Sequence, residues 1–171
     1  MDQAVKVLIV DDDKTILKML QQVFKNTDQQ CSTALSGDEA LKLLKTDPTF
    51  DLVLTDISMP GMDGIELTRK ITKKYPEIPI IVMTGFTEDY TFDKVIEAGA
   101  ADFIKKPFTI KEVMSRIARV QRDSEILKEI RKKEHKLEKM GTEMISGIEG
   151  ESRTRLQELQ DEITTLRKQL W

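Results

Sequence analysis

The sequence predicts an α/β domain, a parallel sheet covered by helices on both faces, followed by a long helical segment. Three observations carry this. Short strand-like runs at 5–10, 31–35, 52–54, 78–83 and 102–105 alternate with segments of helical periodicity, as parallel strands joined by crossovers require. The first run, VKVLIV, is almost continuously apolar, which suits a strand buried on both faces. After Pro107 there is no proline, and after Phe108 the only aromatic is Trp171, while residues 109–171 carry heptad spacing.

Each element has a local justification. Residues 5–10 stop at Asp11-Asp12-Asp13. Asp13 is read as the cap of a helix in which Ile16, Leu17, Leu20, Val23 and Phe24 recur at helical spacing. Residues 31–35 form a weak strand. Ser36-Gly37-Asp38-Glu39 fits a capping box, with Ala40, Leu41, Leu43 and Leu44 on the helix behind it. Residues 52–54 close on Thr55-Asp56. The segment from Ser58 to Gly64 has loop chemistry, and a helix over 65–75 stops before Pro76. A strand at 78–83, a helix at 88–98 and a strand at 102–105 complete five βα units, for which right-handed crossovers leave few topologies.

Composition sets the outer bounds. The chain has 171 residues, 39% apolar and 33% charged, with a formal charge of −3, enough to build a core without staples. The lone Cys31 excludes an intramolecular disulfide framework, and one Cys with one His excludes a Cys/His zinc site. Cys31 reads as a small core residue, His135 as solvent-facing, and the eight methionines as gap-fillers. No stretch approaches 18 consecutive apolar residues and the N-terminus has no secretory pattern, so the expectation is a soluble cytoplasmic protein without membrane contact. Charge divides the chain: residues 109–171 hold 14 Lys/Arg against 12 Asp/Glu, a net of +2, and subtraction from the totals of 27 and 30 leaves −5 for 1–108.

In an open parallel sheet, ligands bind beyond the carboxyl ends of the strands. The polar residues following the apolar runs are Asp11 and Asp12, Asp56, Thr84 and Lys106, so three carboxylates, a hydroxyl and an ammonium converge on one edge. Carboxylates clustered without a cation raise one another's pKa. Three of them with few other ligands suit a hard divalent ion, Mg²⁺ keeping several waters, and an opposed lysine suits a transferred anion.

This ordered set resembles the receiver domain of two-component response regulators over residues 5 to about 120. The residues carrying the likeness are Val10-Asp11-Asp12, Asp56 with Met59-Pro60-Gly61-Met62-Asp63-Gly64, Thr84-Gly85, Gly99-Ala100-Ala101-Asp102-Phe103 and Lys105-Lys106-Pro107-Phe108. The resemblance implies a flavodoxin-like (βα)5 receiver with strand order 2-1-3-4-5 and an aspartyl-phosphate cycle dependent on magnesium. Asp56 is then the phosphoacceptor, a covalent nucleophile toward the phosphohistidine of a sensor histidine kinase or phosphotransfer protein. Asp12 binds Mg²⁺ directly, Asp11 largely through water, and the Ser58 backbone carbonyl joins Asp56 in completing the ligands. Lys106 neutralises the moving phosphoryl group, Thr84 donates its hydroxyl to it, and Lys106-Pro107 matches the family's cis peptide. Phe103 stands at the aromatic switch position, core in either reading, and Ser58 and Phe86 flank the site and are expected to influence the rate of self-dephosphorylation. Self-phosphorylation from a donor and this hydrolysis are the only catalysis expected.

The division expected is a receiver at 1–122 and a helical coiled-coil extension at 123–171, the last receiver helix starting near 109 behind the capping box Thr109-Ile110-Lys111-Glu112. Ile110, Val113, Ile117, Val120, Ser124 and Leu127 make a heptad seam, which slips near Ile130 and resumes at Leu137, Met140 and Met144. Leu156, Leu159, Ile163, Leu166 and Leu170 form a run in another register, behind Gly141, Gly147 and Gly150. The breaks fit either stutters in one helix, which would span about 93 Å, or a bend between two. A lone helix has nowhere to bury its stripe, so the expectation is a homodimer, parallel, through residues 109–170. Residues 148–156 are also similar to the phosphoacceptor box of histidine kinases, with Gly150 at the histidine position and Arg155 where proline is usual. The output expected is a coiled coil governed by phosphorylation, without direct DNA binding, since heptads at net +2 supply no basic reading helix. The alternative is a constitutive coiled-coil scaffold with a vestigial receiver.

Overall fold

The computed structural model describes residues 4–27, 29–85, 92–144 and 151–170, with the side chains of 141–144 and 151–153 excepted. It divides into two compact units, Met1–Gln121 and Arg122–Trp171. In the first, β1 (Lys6–Val10), α1 (Lys14–Lys25), β2 (Gln30–Ala34), α2 (Gly37–Thr46), β3 (Leu52–Asp56), α3 (Gly64–Lys74), β4 (Ile80–Thr84), α4 (Phe92–Glu97) and β5 (Asp102–Lys105) alternate, and α5 (Ile110–Met144) begins. The five strands are parallel in the order β2-β1-β3-β4-β5. This is the doubly wound, flavodoxin-like architecture expected of the sequence.

Residue alternation along the buried strands splits the core in two. Leu8 and Val10 of β1 and Val53 of β3 face Ala40 and Leu44 of α2, Leu67 and Ile71 of α3, and Val95 of α4. Val7, Ile9, Leu52, Leu54, Ile81 and Met83 point the other way, onto Leu17, Leu20 and Phe24 of α1 and Val113, Ile117 and Val120 of α5. The helix starts follow their side chains. The Thr15 amide donates to Asp13 Oδ1 at 2.7 Å, and the Glu39 amide to Ser36 Oγ at 3.2 Å. Glu39 Oε2 in turn accepts from the Leu35 amide at 2.7 Å, and the Glu112 amide donates to Thr109 Oγ1 at 3.2 Å.

Boundaries differ where backbone pairing overrides apolarity. Pro79 has no amide to offer a ladder and the Ile78 amide bonds back to the Tyr75 carbonyl at 3.0 Å, so β4 starts at Ile80 and runs on through Thr84. Phe103 is half-buried rather than core, because its ring lies toward α4, edge-on to the exposed Phe92 at 5.1 Å between centroids. Cys31 packs half-buried against the second core, and burial pushes its thiol up to about 11.

The second unit holds the rest of α5, α6 (Glu151–Arg167) and a 3-10 turn at Lys168–Leu170. Here Ile126 and Ile130 of α5 pack with Ile163, flanked by Leu137, Leu166 and Leu170. Lys133 pairs with Glu162, and Arg167 with Glu134 at 2.7 Å. Arg122, Glu125, Ile126 and Glu129 line one cavity with Gln169, so with the Lys133–Glu162 pair the helices run antiparallel. The segment is therefore folded back, and the premise that its stripe has nowhere to go within one chain is corrected. The seam is corrected as well. Leu127 is 42% exposed, and the inward positions are Ile126 and Ile130, because α5 packs on the sheet as far as Val120 and on α6 beyond Ile126. Of the kinase-like segment, Ile148 to Gly150 lie outside the described residues.

Candidate functional site

Four strand ends build the candidate site. Asp11 follows β1 and is 1% exposed; Asp56 closes β3 and is 5% exposed; Thr84 closes β4, fully buried; Lys106 follows β5. The Asp11 amide bonds to the Ala34 carbonyl at 3.2 Å and its Oδ1 accepts from the Asp13 amide at 2.9 Å, so the carboxylate is held inward. Asp12 is exposed at the rim. The Ser58 amide donates to Asp56 Oδ2 at 3.1 Å. Lys106 is fixed by its own amide, which donates to the Thr84 carbonyl at 2.7 Å, and it is joined to Pro107 by a cis peptide. Its ammonium reaches Asp56 Oδ1 at 2.6 Å and Asp11 Oδ2 at 3.1 Å.

The geometry brings Asp11, Asp12, Asp56 and Lys106 together. One ligand atom from each of the three acids lies within 4.8 Å of the others. Burial raises the Asp11 carboxyl above its ordinary value; the Asp13 amide and Lys106 oppose this, and the Asp56 charge adds to it. Burial alone would depress the Lys106 ammonium, but its bonds to Asp56 and Asp11 prevail and hold it above the ordinary lysine value. Three carboxylates against one ammonium leave an excess of negative charge in a partly dry pocket. Their hard oxygens fit a divalent cation such as Mg²⁺ better than a soft-metal site. Phe103 stands opposite Val82 on β5, apart from this acidic cluster, and Phe86 lies outside the described residues.

Two positions carry more than the sequence reading assigned. A Cβ on Gly64 would stand 2.2 Å from the Asp56 carbonyl oxygen and 2.8 Å from Ile57 Cα, while the Gly64 amide bonds the Ile57 carbonyl at 2.9 Å. Gly64 thus lets α3 start against the backbone of the acid, and its place closing the Met59–Gly64 motif is the signal that marked it. Asp102 is buried and held by Arg116 at 3.1 Å and Arg119 at 2.5 Å. Arg116 and Arg119, one turn apart, were the only sequence hint.

With this geometry in view, the comparisons with known proteins agree. Residues 7–118 match the response regulator receiver domain, and the chain belongs to that family. It is 37% identical over 123 residues to the alkaline phosphatase synthesis transcriptional regulatory protein PhoP of Bacillus subtilis, covering 71% of this chain and 50% of that protein. Over 111 residues it is 38% identical to the DNA-binding transcriptional regulator NtrC of Klebsiella pneumoniae, covering 65% and 24%. The chain therefore spans half of one curated relative and about a quarter of the other. Among solved structures, a CheY-like receiver domain protein from Methanospirillum hungatei JF-1 superposes with a TM-score of 0.66 at 28% identity, over 72% of this chain and 98% of that one. Fold and kinship define a response regulator receiver domain.

Proposed function

We propose that the chain accepts a phosphoryl group on Asp56 from the phosphohistidine of a sensor histidine kinase or phosphotransfer protein. The observation that carries this reading is the Lys106 ammonium set between Asp56 Oδ1 at 2.6 Å and Asp11 Oδ2 at 3.1 Å inside a cluster of three carboxylates. Asp11, Asp12 and Asp56, with the backbone carbonyl of Ser58, would hold Mg²⁺. When bound, the ion supplies positive charge for the phosphoryl oxygens. An Asp56 carboxylate oxygen attacks phosphorus, the P–N bond of the donor breaks, and the imidazole leaves and takes up a proton. Lys106 follows the negative charge from the carboxylate to the phosphoryl oxygens, and the Ser58 amide keeps the acid oriented. Thr84, at the adjacent strand end, donates to the group once it is bound. Phe103 is the aromatic that then shifts against Phe92.

In this reading residues 1–122 act as the receiver and 123–171 as the helical extension that transmits the change, in the cytoplasm. The extension is a protein-contact element rather than a DNA-reading one, since residues 109–171 carry only +2. Pairing of two copies through residues 109–170 belongs to the same reading. Its support is Leu127 of α5, which the intrachain core leaves exposed. Incubation with acetyl phosphate and Mg²⁺ followed by mass spectrometry is expected to add one phosphoryl group to the wild type and none to Asp56→Asn. An unmodified wild type, or equal labelling of the variant, overturns the assignment. Lys106→Met is expected to slow the labelling about 100-fold.

A further inference from the structure

On the first unit, away from the acidic cluster, a groove of about 470 Å³ lies between α2 and α3, floored by Leu41 and walled by Lys70, Lys73 and Lys74. Its setting is unusual for a unit of net charge −5 over residues 1–108. Six of the 13 Lys and Arg residues there are on these two helices: Lys42 and Lys45 on α2, and Arg69, Lys70, Lys73 and Lys74 on α3. All six are exposed. The acids of the two helices, Asp38, Glu39 and Glu66, sit in the first turns; residues 40–46 and 67–74 have none. Lys45 follows Leu41 by four residues and so lies on the same face of α2, one turn beyond the groove's floor.

Local stability accounts for only part of this. Lysines in the last turn favour the helix dipole, which covers Lys45, Lys73 and Lys74. Lys70 pairs with Glu66 at 2.9 Å, and Lys74 stands 5.3 Å above the Tyr75 ring. Among the described residues Lys42, Lys45, Arg69 and Lys73 have no carboxylate partner. Lys70 and Lys74, and Arg69 and Lys73, are like charges four apart, a spacing that works against the helix. An apolar floor under a rim of ammonium groups, of which only Lys70 has a carboxylate partner among the described residues, is complementary to an aliphatic side chain flanked by carboxylates.

We propose that the α2–α3 groove is a docking site for an acidic peptide segment of a partner protein, with a leucine-like side chain on Leu41 and carboxylates against Lys45, Lys70, Lys73 and Lys74. This stands whether or not Asp56 is phosphorylated. The face lacks what other anionic partners need. None of the exposed large apolar residues is on α2 or α3, so nothing there anchors in a bilayer. Its one aromatic, Tyr75 at the end of α3, lies beneath Lys74, which removes the stacking platform single-stranded nucleic acid uses.

The test is fluorescence anisotropy of the full-length protein with a fluorescein-labelled peptide in which paired leucines alternate with paired glutamates. Saturable binding is expected, weakened about tenfold by combined Lys70→Glu, Lys73→Glu and Lys74→Glu, and several-fold by Leu41→Ala. Circular dichroism checks that the variants are folded. A peptide with lysines in place of the glutamates should bind the triple variant and not the wild type, which a folding defect could not produce. The proposal is overturned if the triple variant binds the acidic peptide undiminished, or if a peptide with serines in place of leucines binds equally well. Displacement of the peptide by an RNA oligomer or anionic vesicles at lower concentration than unlabelled peptide also overturns it.

Discussion

Single residues decide the site through backbone as much as through charge. Gly64 is the sharpest case, since the atoms a Cβ would meet are the Asp56 carbonyl and Ile57 Cα, neither of which can rotate away. Gly64→Ala is expected to cost about 2–3 kcal/mol in urea unfolding and to slow labelling of Asp56 in the fraction that folds. A serine-like tolerance here would show that α3 can shift without disturbing the acid. At the opposite edge of the sheet, Lys6 pairs with Asp47, whose carboxyl also accepts from Thr49, and these bonds lower it from 3.8 to about 2. A depressed carboxyl contributes stability above its unfolded value and loses it as pH falls through the folded one. Asp47→Asn should therefore lower the urea midpoint at pH 5, and the difference from wild type should vanish between pH 4 and pH 2. A pH-independent difference would remove the ion pair as its cause.

Elements show how one helix can serve two cores. Val113, Ile117 and Val120 place α5 on the sheet, and Ile126, Ile130 and Leu137 place its later turns on α6. No single heptad register satisfies both, which is why the stripe drawn through Ser124 and Leu127 misses the buried face. Ile163, buried between helices, is the centre of the second core. Ile163→Ala is expected to cost about 2–3 kcal/mol and to raise hydrogen exchange in α6 and the second half of α5, leaving β1, β3 and β4 protected as before. Equal loss of protection in the strands would mean that the two units unfold as one.

For the whole molecule, the hairpin changes what self-association requires. A stripe covered within one chain is no longer available for a partner unless the helices exchange between copies or pair through their outer faces. Light scattering of the full chain and of residues 1–121 should give a dimer and a monomer if residues 109–170 join two copies; equal monomeric masses would remove that pairing. The α/β class and the positions of Asp11, Asp12, Asp56, Thr84 and Lys106 at strand ends were legible in the residues alone, whereas the strand order came only from the family resemblance. Apolar runs, caps and punctuating glycines and prolines are local signals, and a parallel sheet gathers its strand ends on one edge by construction. Which oxygen Lys106 reaches, how far Phe103 is buried, why Gly64 tolerates nothing larger, and whether the C-terminal stripe meets its own chain were not legible. Each depends on atoms far apart in sequence: periodicity specifies that a face must be buried, and only the folded chain specifies against what.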